Sequence, residues 1–423
     1  MLISFSVENF RSFKERQSFV MEATSDKHLR ESHVCENRHP AVLKTAAVYG
    51  SNASGKSNLM QAMIWMRNLV QQSVTDRIGE NRINPEPFRL QTDYVNRPTV
   101  MEVEFFHGVH RYRYGFALTA KEVVEEWLFR KGVAGAPARV FTRQDGKISP
   151  NRNLMGSISD VVKRTRPDVL FLRSCAEWNE SISEDVQKWF EQFRHVSGVS
   201  DRGFVGFTAS RIQDETERER ILRFVQKADF SISGIRAELK MFTEDDFPKE
   251  IPKELRRQAL SMSSQLPPRI LTLHPVYDAE GKQVAEEEFD LATDESEGTR
   301  KFLALAGPVL HTLEQGAILV VDEFEARLHP NLTKALLSWF HGPANTKNAQ
   351  LILATHDTGL MEPELLRRDQ IWFCEKDNVG STRLYSLAEF DPQLVRNSTK
   401  FNRQYLMGIF GAVPHVALEE FLP

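Results

Sequence analysis

The stretch Gly50-Ser51-Asn52-Ala53-Ser54-Gly55-Lys56-Ser57 constrains this chain more than any other, because it fills every required position of G-x-x-x-x-G-K-[ST]. The spacing has a chemical reason. Glycines let consecutive backbone N–H groups curl around phosphate oxygens, the lysine sets a cation on the β- and γ-phosphates, and the serine hydroxyl can ligate Mg²⁺. The flanks agree: Ala46-Ala47-Val48-Tyr49 is a short apolar run, and Asn58 to Val70 holds helix formers without Gly or Pro. A helix start directly after the loop adds its positive end to the phosphate site. An ordinary strand-to-helix turn uses the same residue types, and the correct flanks argue against it.

Three later segments fit the same chemistry. Ile318-Leu319-Val320-Val321 reads as a buried strand that delivers Asp322 and Glu323 at its carboxyl end. Asp322 would meet the metal and Glu323 would orient and polarise the attacking water, where the bland alternative is a helix cap. Leu353-Ala354-Thr355-His356 ends the next apolar run, and an imidazole there can bond a γ-phosphate or the water near it. Glu295-Ser296-Glu297-Gly298 precedes an apolar helix, so Ser296 and Gly298 can offer a hydroxyl and backbone N–H groups at a helix start. Taken alone, Ser296 reads as an N-cap. No Asn-Lys-x-Asp element is present, which argues against a GTPase, and no metal-type acidic cluster of a nuclease follows His356.

Composition sets the limits around that core. The 423 residues carry 54 Lys and Arg against 58 Asp and Glu, a net charge of −4, which excludes coating nucleic acid by bulk charge. No apolar run approaches the ~20 residues of a membrane span, and the start lacks a basic segment followed by an apolar one, so neither a span nor a signal peptide is expected. Cys35, Cys175 and Cys374 are too far apart for a disulfide framework or a zinc site. A cytoplasmic protein is expected.

Alternation from Leu2 to Val7, from Val100 to Phe106 and from Arg111 to Phe116 predicts half-buried antiparallel strands. Asp168 to Leu172 reads as a further strand. Glu184–Phe193 and Asp214–Ala228 read as helices, with Trp189, Phe190, Phe193, Ile221, Leu222 and Val225 on their apolar faces. The expected division is 1–179, an N-terminal lobe with the phosphate loop and an antiparallel sheet; 180–268, a mostly helical arm; and 269–423, a C-terminal lobe. Arg11, Lys14 and Arg16 follow the first strand and read as a solvated face rather than phosphate contacts. In Asp214 to Arg223 acids alternate with arginines at helical spacing, which favours a self-paired face. For Lys163-Arg164-Thr165-Arg166 the solvated and nucleic-acid readings stay open.

The ordered set Asn9-Phe10-Arg11-Ser12-Phe13, Gly50 to Asn58, Ser296 to Phe302, Asp322 to Pro330, Ala354 to Asp357 and Tyr405 to Pro414 resembles the ABC-type ATPases of the RecF, SMC and OLD kind. Among these it is most similar to the AAA-type ATPases of bacterial phage-defence, or abortive-infection, gene pairs. The resemblance implies an α/β P-loop ABC-type ATPase head with a mixed sheet, an antiparallel lobe and an inserted helical arm. It implies an Mg²⁺-dependent ATPase that dimerises around nucleotide and so controls a partner effector, nuclease or toxin-like, in antiviral defence. ATP would be held by Gly50, Ser51, Asn52, Ala53, Ser54, Gly55, Lys56, Ser57 and Asn58 of one subunit and completed by Ser296 and Gly298 of another. Ser57 and Asp322 would hold Mg²⁺, and Glu323 and His356 would act on the reaction. The segment ending Leu328-His329-Pro330 resembles the loop between the two sites, with Arg327 where relatives carry a small hydroxyl residue. Val169 to Leu172 with Glu177 resembles the switch segment, where Gln is usual. The alternative is a RecF-like repair ATPase clamped on DNA, so nucleic acid stays open as a partner.

Overall fold

Alternation at the N-terminus becomes one sheet. Leu2–Glu8 (β1) and Gln17–Val20 (β2) pair antiparallel, and after the ribbon Val34–Cys35 (β3) with Val42–Leu43 (β4) comes the apolar run Thr45–Tyr49 (β5). The helix Lys56–Gln71 follows the loop, beginning two residues earlier than the sequence suggests. Thr99–His107 (β6), His110–Leu118 (β7), Val123–Lys131 (β8), Ala138–Gln144 (β9) and Lys147–Pro150 (β10) extend β1 and β2 into a seven-stranded antiparallel sheet, β10-β9-β8-β7-β6-β1-β2. Its tight hairpins follow turn chemistry: Gly108 opens the two-residue β6–β7 turn at φ 55°, and Asp145-Gly146 takes φ 50° and 73° between β9 and β10. The computed structural model describes residues 1–71, 84–197, 202–228, 231–238, 248, 251–262, 269–391, 395 and 400–414.

Phe193–Ser197 (β11), Ile318–Asp322 (β15), Gln350–Ala354 (β16), Ile371–Lys376 (β17) and Thr382–Ser386 (β18) join β5 in a six-stranded mixed sheet, β11-β15-β16-β5-β17-β18. The strands β15, β16, β5 and β17 run parallel, and β18 returns antiparallel on β17. All five residues of β5 and of β16 are buried, as strands covered on both faces must be. The buried Gln350 side chain joins the two sheets, donating to the carbonyls of Leu2 and Leu43 at 3.0 and 2.9 Å.

Two compact units result: Met1–Val196, Thr312–Phe324 and Lys334–Pro423 form the first, and Ser197–His311 with Glu325–Thr333 the second. In the first, the helix Ser181–Glu191 places Trp189 against Phe105 with ring centroids 3.8 Å apart, and Phe190 and Phe193 complete that aromatic core. The second holds the helices Arg202–Ile212 and Glu215–Gln226 and a three-stranded antiparallel sheet of Gly234–Glu238 (β12), Arg269–Tyr277 (β13) and Gln283–Asp290 (β14). Ile221 and Val225 are buried as expected, joined by Phe224 stacked on Phe302. Pro308 lies inside the helix Glu297–Gln315 and cannot donate to the carbonyl four residues back. The Thr208 hydroxyl donates to that Ala304 carbonyl instead, at 2.8 Å.

Two expectations are corrected. Asp168 to Leu172 is no strand: Phe171 begins a helix, Phe171–Glu177, because the buried Glu126 carboxylate of β8 accepts from the Phe171 and Leu172 N–H groups at 2.6 and 2.9 Å. The helix expected over Glu184–Phe193 ends at Glu191, and Phe193 instead opens the strand Phe193–Ser197, its neighbour Gln192 accepting from the Ile318 N–H at 3.0 Å. Ladder bonds override local composition there. Gln265 to Pro268, read as the end of the arm, lies outside the described residues.

Candidate functional site

Because β5, β15 and β16 are parallel neighbours, their carboxyl ends lie along one edge of the sheet. Each ends in a segment singled out by sequence: β5 in the phosphate loop, β15 in Asp322-Glu323, and β16 in Thr355-His356. Crevices beyond the carboxyl ends of such strands are where α/β sheets bind ligands.

The loop backbone is bent to match. Gly50 and Gly55 take φ 153° and 114°, and Ala53 takes φ 61°. A side chain at Gly50 would put its Cβ 2.4 Å from the Cys374 carbonyl oxygen, and at Gly55 it would lie 2.2 Å from Thr382 Oγ1, so glycine is required twice. The buried Lys56 ammonium donates to the Gly50 and Ser51 carbonyls at 2.9 and 3.1 Å, which holds the cation within the loop. Its charge opposes burial at Cys374, whose thiol is nevertheless pushed up to about 12. Ser57 is exposed at the helix start. The Asn58 amide donates to Ser12 Oγ at 2.7 Å, and Thr382 Oγ1 bonds both Ser12 Oγ and the Ser54 carbonyl at 2.8 Å. Sequence reasoning missed Thr382, and no local signal marks it, since its partners lie over 300 residues away along the chain.

Asp322 has one carboxylate oxygen, Oδ1, that is buried without a hydrogen-bond partner among the described residues. Its charge reaches His195 in β11, where burial holds the imidazole below its usual range against the opposing pull of Asp322. Glu323 is exposed and takes φ 52°, a left-handed conformation that is strained for a non-glycine residue. The Phe324 N–H donates to the Ala354 carbonyl at 3.1 Å, which fixes the chain just beyond the two carboxylates. His356 is exposed and, with Gly50, Ser51 and Asn52, lines a cavity of about 420 Å³ whose other wall is Thr358, Tyr405, Leu406, Val413 and Pro414. The phosphate loop and His356 are thus brought to one cavity.

Ser296 and Gly298 belong to the second unit. Ser296 is exposed, and its Oγ accepts from the Thr299 N–H at 3.1 Å, so it caps the helix Glu297–Gln315. A Cβ at Gly298 would stand 3.2 Å from the Arg327 carbonyl, and Arg327, at φ 63°, pairs with Glu297 at 3.7 Å. The segment after Glu323 therefore abuts the start of that helix within the unit. Glu177 pairs with Arg173 one helical turn away, at 2.8 Å.

Several of the basic residues singled out by sequence pair with acids. Arg11 pairs with Glu86 at 3.0 Å, Lys14 with Glu15 at 3.6 Å and Arg16 with Glu102 at 2.6 Å. Arg218, Arg220 and Arg223 each meet a glutamate three or four residues earlier. Arg166 pairs with Asp168, and Arg164 lies over the Trp178 ring. Among the described residues no helix is long and apolar enough to cross a membrane.

A group of three or more metal-ligating side chains is absent among the described residues. Mg²⁺ is usually held by one or two protein oxygens plus substrate phosphates. The partnerless Asp322 oxygen and the exposed Ser57 hydroxyl are a donor set of that kind.

None of the curated proteins matches the chain. Among solved structures, the SMC head domain from Thermotoga maritima aligns at 14% identity over 91% of this chain and 98% of that one, with a TM-score of 0.40. The recombination mediator protein RecF of the RecFOR pathway aligns at 14% identity, 91% and 98% coverage and a TM-score of 0.30. A Pyrococcus furiosus Smc head with an extended coiled coil, bound to the C-terminal domain of ScpA, gives 13%, 97%, 99% and 0.36. The family model described as "AAA domain, putative AbiEii toxin, Type IV TA system" matches residues 46–362, from β5 past the Asp322 and His356 segments, and the chain belongs to that family.

Proposed function

We propose that this ATPase-family chain binds and hydrolyses ATP with Mg²⁺, dimerises around the nucleotide, and through that cycle controls a partner effector, nuclease or toxin-like, in antiviral defence. The observation that carries the reading is the shared carboxyl edge of β5, β15 and β16, which bears a cation-holding phosphate loop, a half-buried carboxylate with one oxygen lacking a partner, and an exposed histidine. The loop N–H groups and Lys56 would bind the phosphates, and Ser57 and Asp322 would hold Mg²⁺, which would supply charge neutralisation to the phosphates. Glu323 orients water and accepts its proton, and the strained φ of that residue supports a role beyond packing. His356 faces the terminal phosphate. The family's description, which names a toxin of a toxin–antitoxin system, supports the link to defence.

Dimerisation supplies the other half of the site, with Ser296 and Gly298 of a second copy at the helix start Glu297. The DNA-clamp alternative has less support, because the basic residues of β1's end and of the Glu215–Gln226 helix are matched by acids.

The test uses wild type, Lys56→Ala and Glu323→Gln in ATP turnover and light-scattering assays. Lys56→Ala is expected to abolish ATP binding. Glu323→Gln is expected to keep binding, lower turnover by about 10²- to 10³-fold as for loss of a general base, and lengthen the life of an ATP-dependent dimer. Turnover by Glu323→Gln at the wild-type rate would exclude it as the water-orienting group, and a monomer at all ATP concentrations would remove the dimer cycle.

A further inference from the structure

The helix that starts at the phosphate loop carries a second group of polar residues near its other end. Ile64, Arg67 and Asn68, three and four residues apart, share one face of Lys56–Gln71. With Phe193, Arg194 and His195 of β11, the outermost strand of the mixed sheet, they line a cavity of about 310 Å³. Two guanidiniums and an imidazole face it, and among the described residues no carboxylate lines it. All six residues lie in the first unit, and none belongs to the phosphate loop or to the wall of the His356 cavity.

Two nitrogens of these side chains, Arg67 Nε and His195 Nε2, are buried without a hydrogen-bond partner among the described residues. Arg67 is half-buried and has no ion pair among the described residues; its Nη1 donates to the neutral Asn68 Oδ1 at 2.9 Å. Burial, and then the charge of Arg194, oppose the Arg67 cation, with Glu191 pulling the other way. Glu191 is exposed, so water screens its attraction. A buried donor left unmade costs its desolvation, and a second guanidinium beside it adds repulsion. An anion in the cavity offsets both, because it accepts from Nε–H and neutralises the pair. The guanidinium fork matches the oxygens of a phosphate. Such an ion fills about two or three water volumes of ~30 Å³, so the cavity holds one together with hydrating water.

We propose that the cavity of Arg67, Arg194 and His195 is a binding site for a phosphate-type oxyanion, separate from the phosphate loop. Arg67 and Arg194 supply the charge and the forked donors. Asn68, whose oxygen is taken by Arg67, offers its NH₂ group, and His195 offers Nε2–H in the tautomer that carries its proton there. The inference goes beyond the nucleotide reading and does not depend on it.

The test is made on the full chain in the Lys56→Ala background, which silences the phosphate loop. Orthophosphate, and glycerol phosphate as a monoester, are titrated calorimetrically in chloride buffer into this parent and into its Arg67→Met and Arg194→Gln derivatives. The parent is expected to bind one orthophosphate. Arg67→Met is expected to weaken that binding at least about tenfold, the scale of a lost charged hydrogen bond, and Arg194→Gln, at an exposed position, about tenfold. Urea unfolding separates a ligand group from a packing group. In chloride, Arg67→Met is expected to keep the parent's midpoint or exceed it, since methionine leaves no buried donor unmade. Phosphate is then expected to raise the midpoint of the parent and not that of Arg67→Met. Glycerol phosphate bound as tightly as orthophosphate assigns the site to a phosphate carried on a larger molecule, and orthophosphate bound alone assigns it to the free ion. A parent that binds neither, or the same affinity in both derivatives as in the parent, overturns the proposal. So does an Arg67→Met derivative that loses stability in chloride while phosphate leaves the parent's midpoint unmoved.

Discussion

Glu126, in the middle of β8, and Asp322, at the carboxyl end of β15, are both carboxylates on sheet strands, and the chain treats them in opposite ways. Glu126 has no exposed surface and accepts from the Phe171 and Leu172 N–H groups and from the Tyr114 hydroxyl at 3.0 Å. The buried Arg143 charge assists it, its guanidinium held by the Val169 and Pro167 carbonyls at 2.8 and 2.7 Å. Burial still raises the Glu126 pKa against all these partners. Asp322 keeps one oxygen without a partner. The first carboxylate is finished by the protein and starts a helix; the second keeps one oxygen unbonded among the described residues. A buried polar atom without a partner costs stability, and the proposed Mg²⁺ site would supply the Asp322 oxygen with one.

The widest split between the two comes from substitution. Glu126→Leu leaves Arg143 buried without its carboxylate and two helix N–H groups without acceptors, an expected loss of about 3–5 kcal/mol in urea unfolding. Asp322→Asn is expected to change unfolding by less than about 1 kcal/mol while removing most ATP turnover, since only the ligand side of that residue is lost. Equal destabilisation by the two would break the contrast.

The contrast extends to bases satisfied only when neutral. The His33 and His341 rings stack at 3.5 Å in a buried site that also faces Lys44, Arg367 and His28. Burial, first, with the Arg367 and Lys44 charges holds His33 at about 4 against the opposing pull of the Leu365 carbonyl, and burial with His33 and Lys44 holds His341 well below the usual value of 6.5. The unfolded chain takes up protons as pH falls through about 6.5, and the folded chain resists until about 4. Stability is therefore full above pH 6.5 and lost progressively below it, by about 3 kcal/mol for His33 alone. Urea midpoints from pH 7 to pH 4.5 measure the slope. His33→Gln should flatten it, and an unchanged slope in that variant would assign the acid loss elsewhere.

How much of this was legible follows from how local each cause is. The phosphate loop, the two apolar strands with their terminal acids and histidine, and the hairpin alternation of β6 and β7 depend on neighbours within a few residues, so periodicity and spacing expose them. The helix at Phe171 depends on Glu126, 45 residues upstream, and the setting of Gly55 on Thr382, so no local pattern carries either. The β11 strand was hidden because Phe193 also completes the apolar face of the preceding helix, and only its ladder partner in β15 decides between the two. The arginines at 218, 220 and 223 were legible as self-paired because their partners lie one turn away.

The smallest expected effect bears on the site's other half. Ser296 is a finished group by the Glu126 standard, since its hydroxyl caps the Thr299 N–H and meets the Thr299 hydroxyl at 2.8 Å. Ser296→Ala is accordingly expected to lower unfolding stability by about 1 kcal/mol, the usual worth of such a cap. That loss alone says nothing about phosphate. Ser296→Asp separates the roles, because aspartate caps a helix as well as serine does and favours the positive helix end. If Ser296 only caps, the aspartate variant keeps both wild-type stability and wild-type turnover. If the hydroxyl of a second subunit also meets the terminal phosphate, the added negative charge repels it, and turnover falls at least about tenfold while stability holds. A stable Ser296→Asp variant with full turnover would leave the helix start as structure and nothing more, and the shared-site arrangement would lose the residue it depends on.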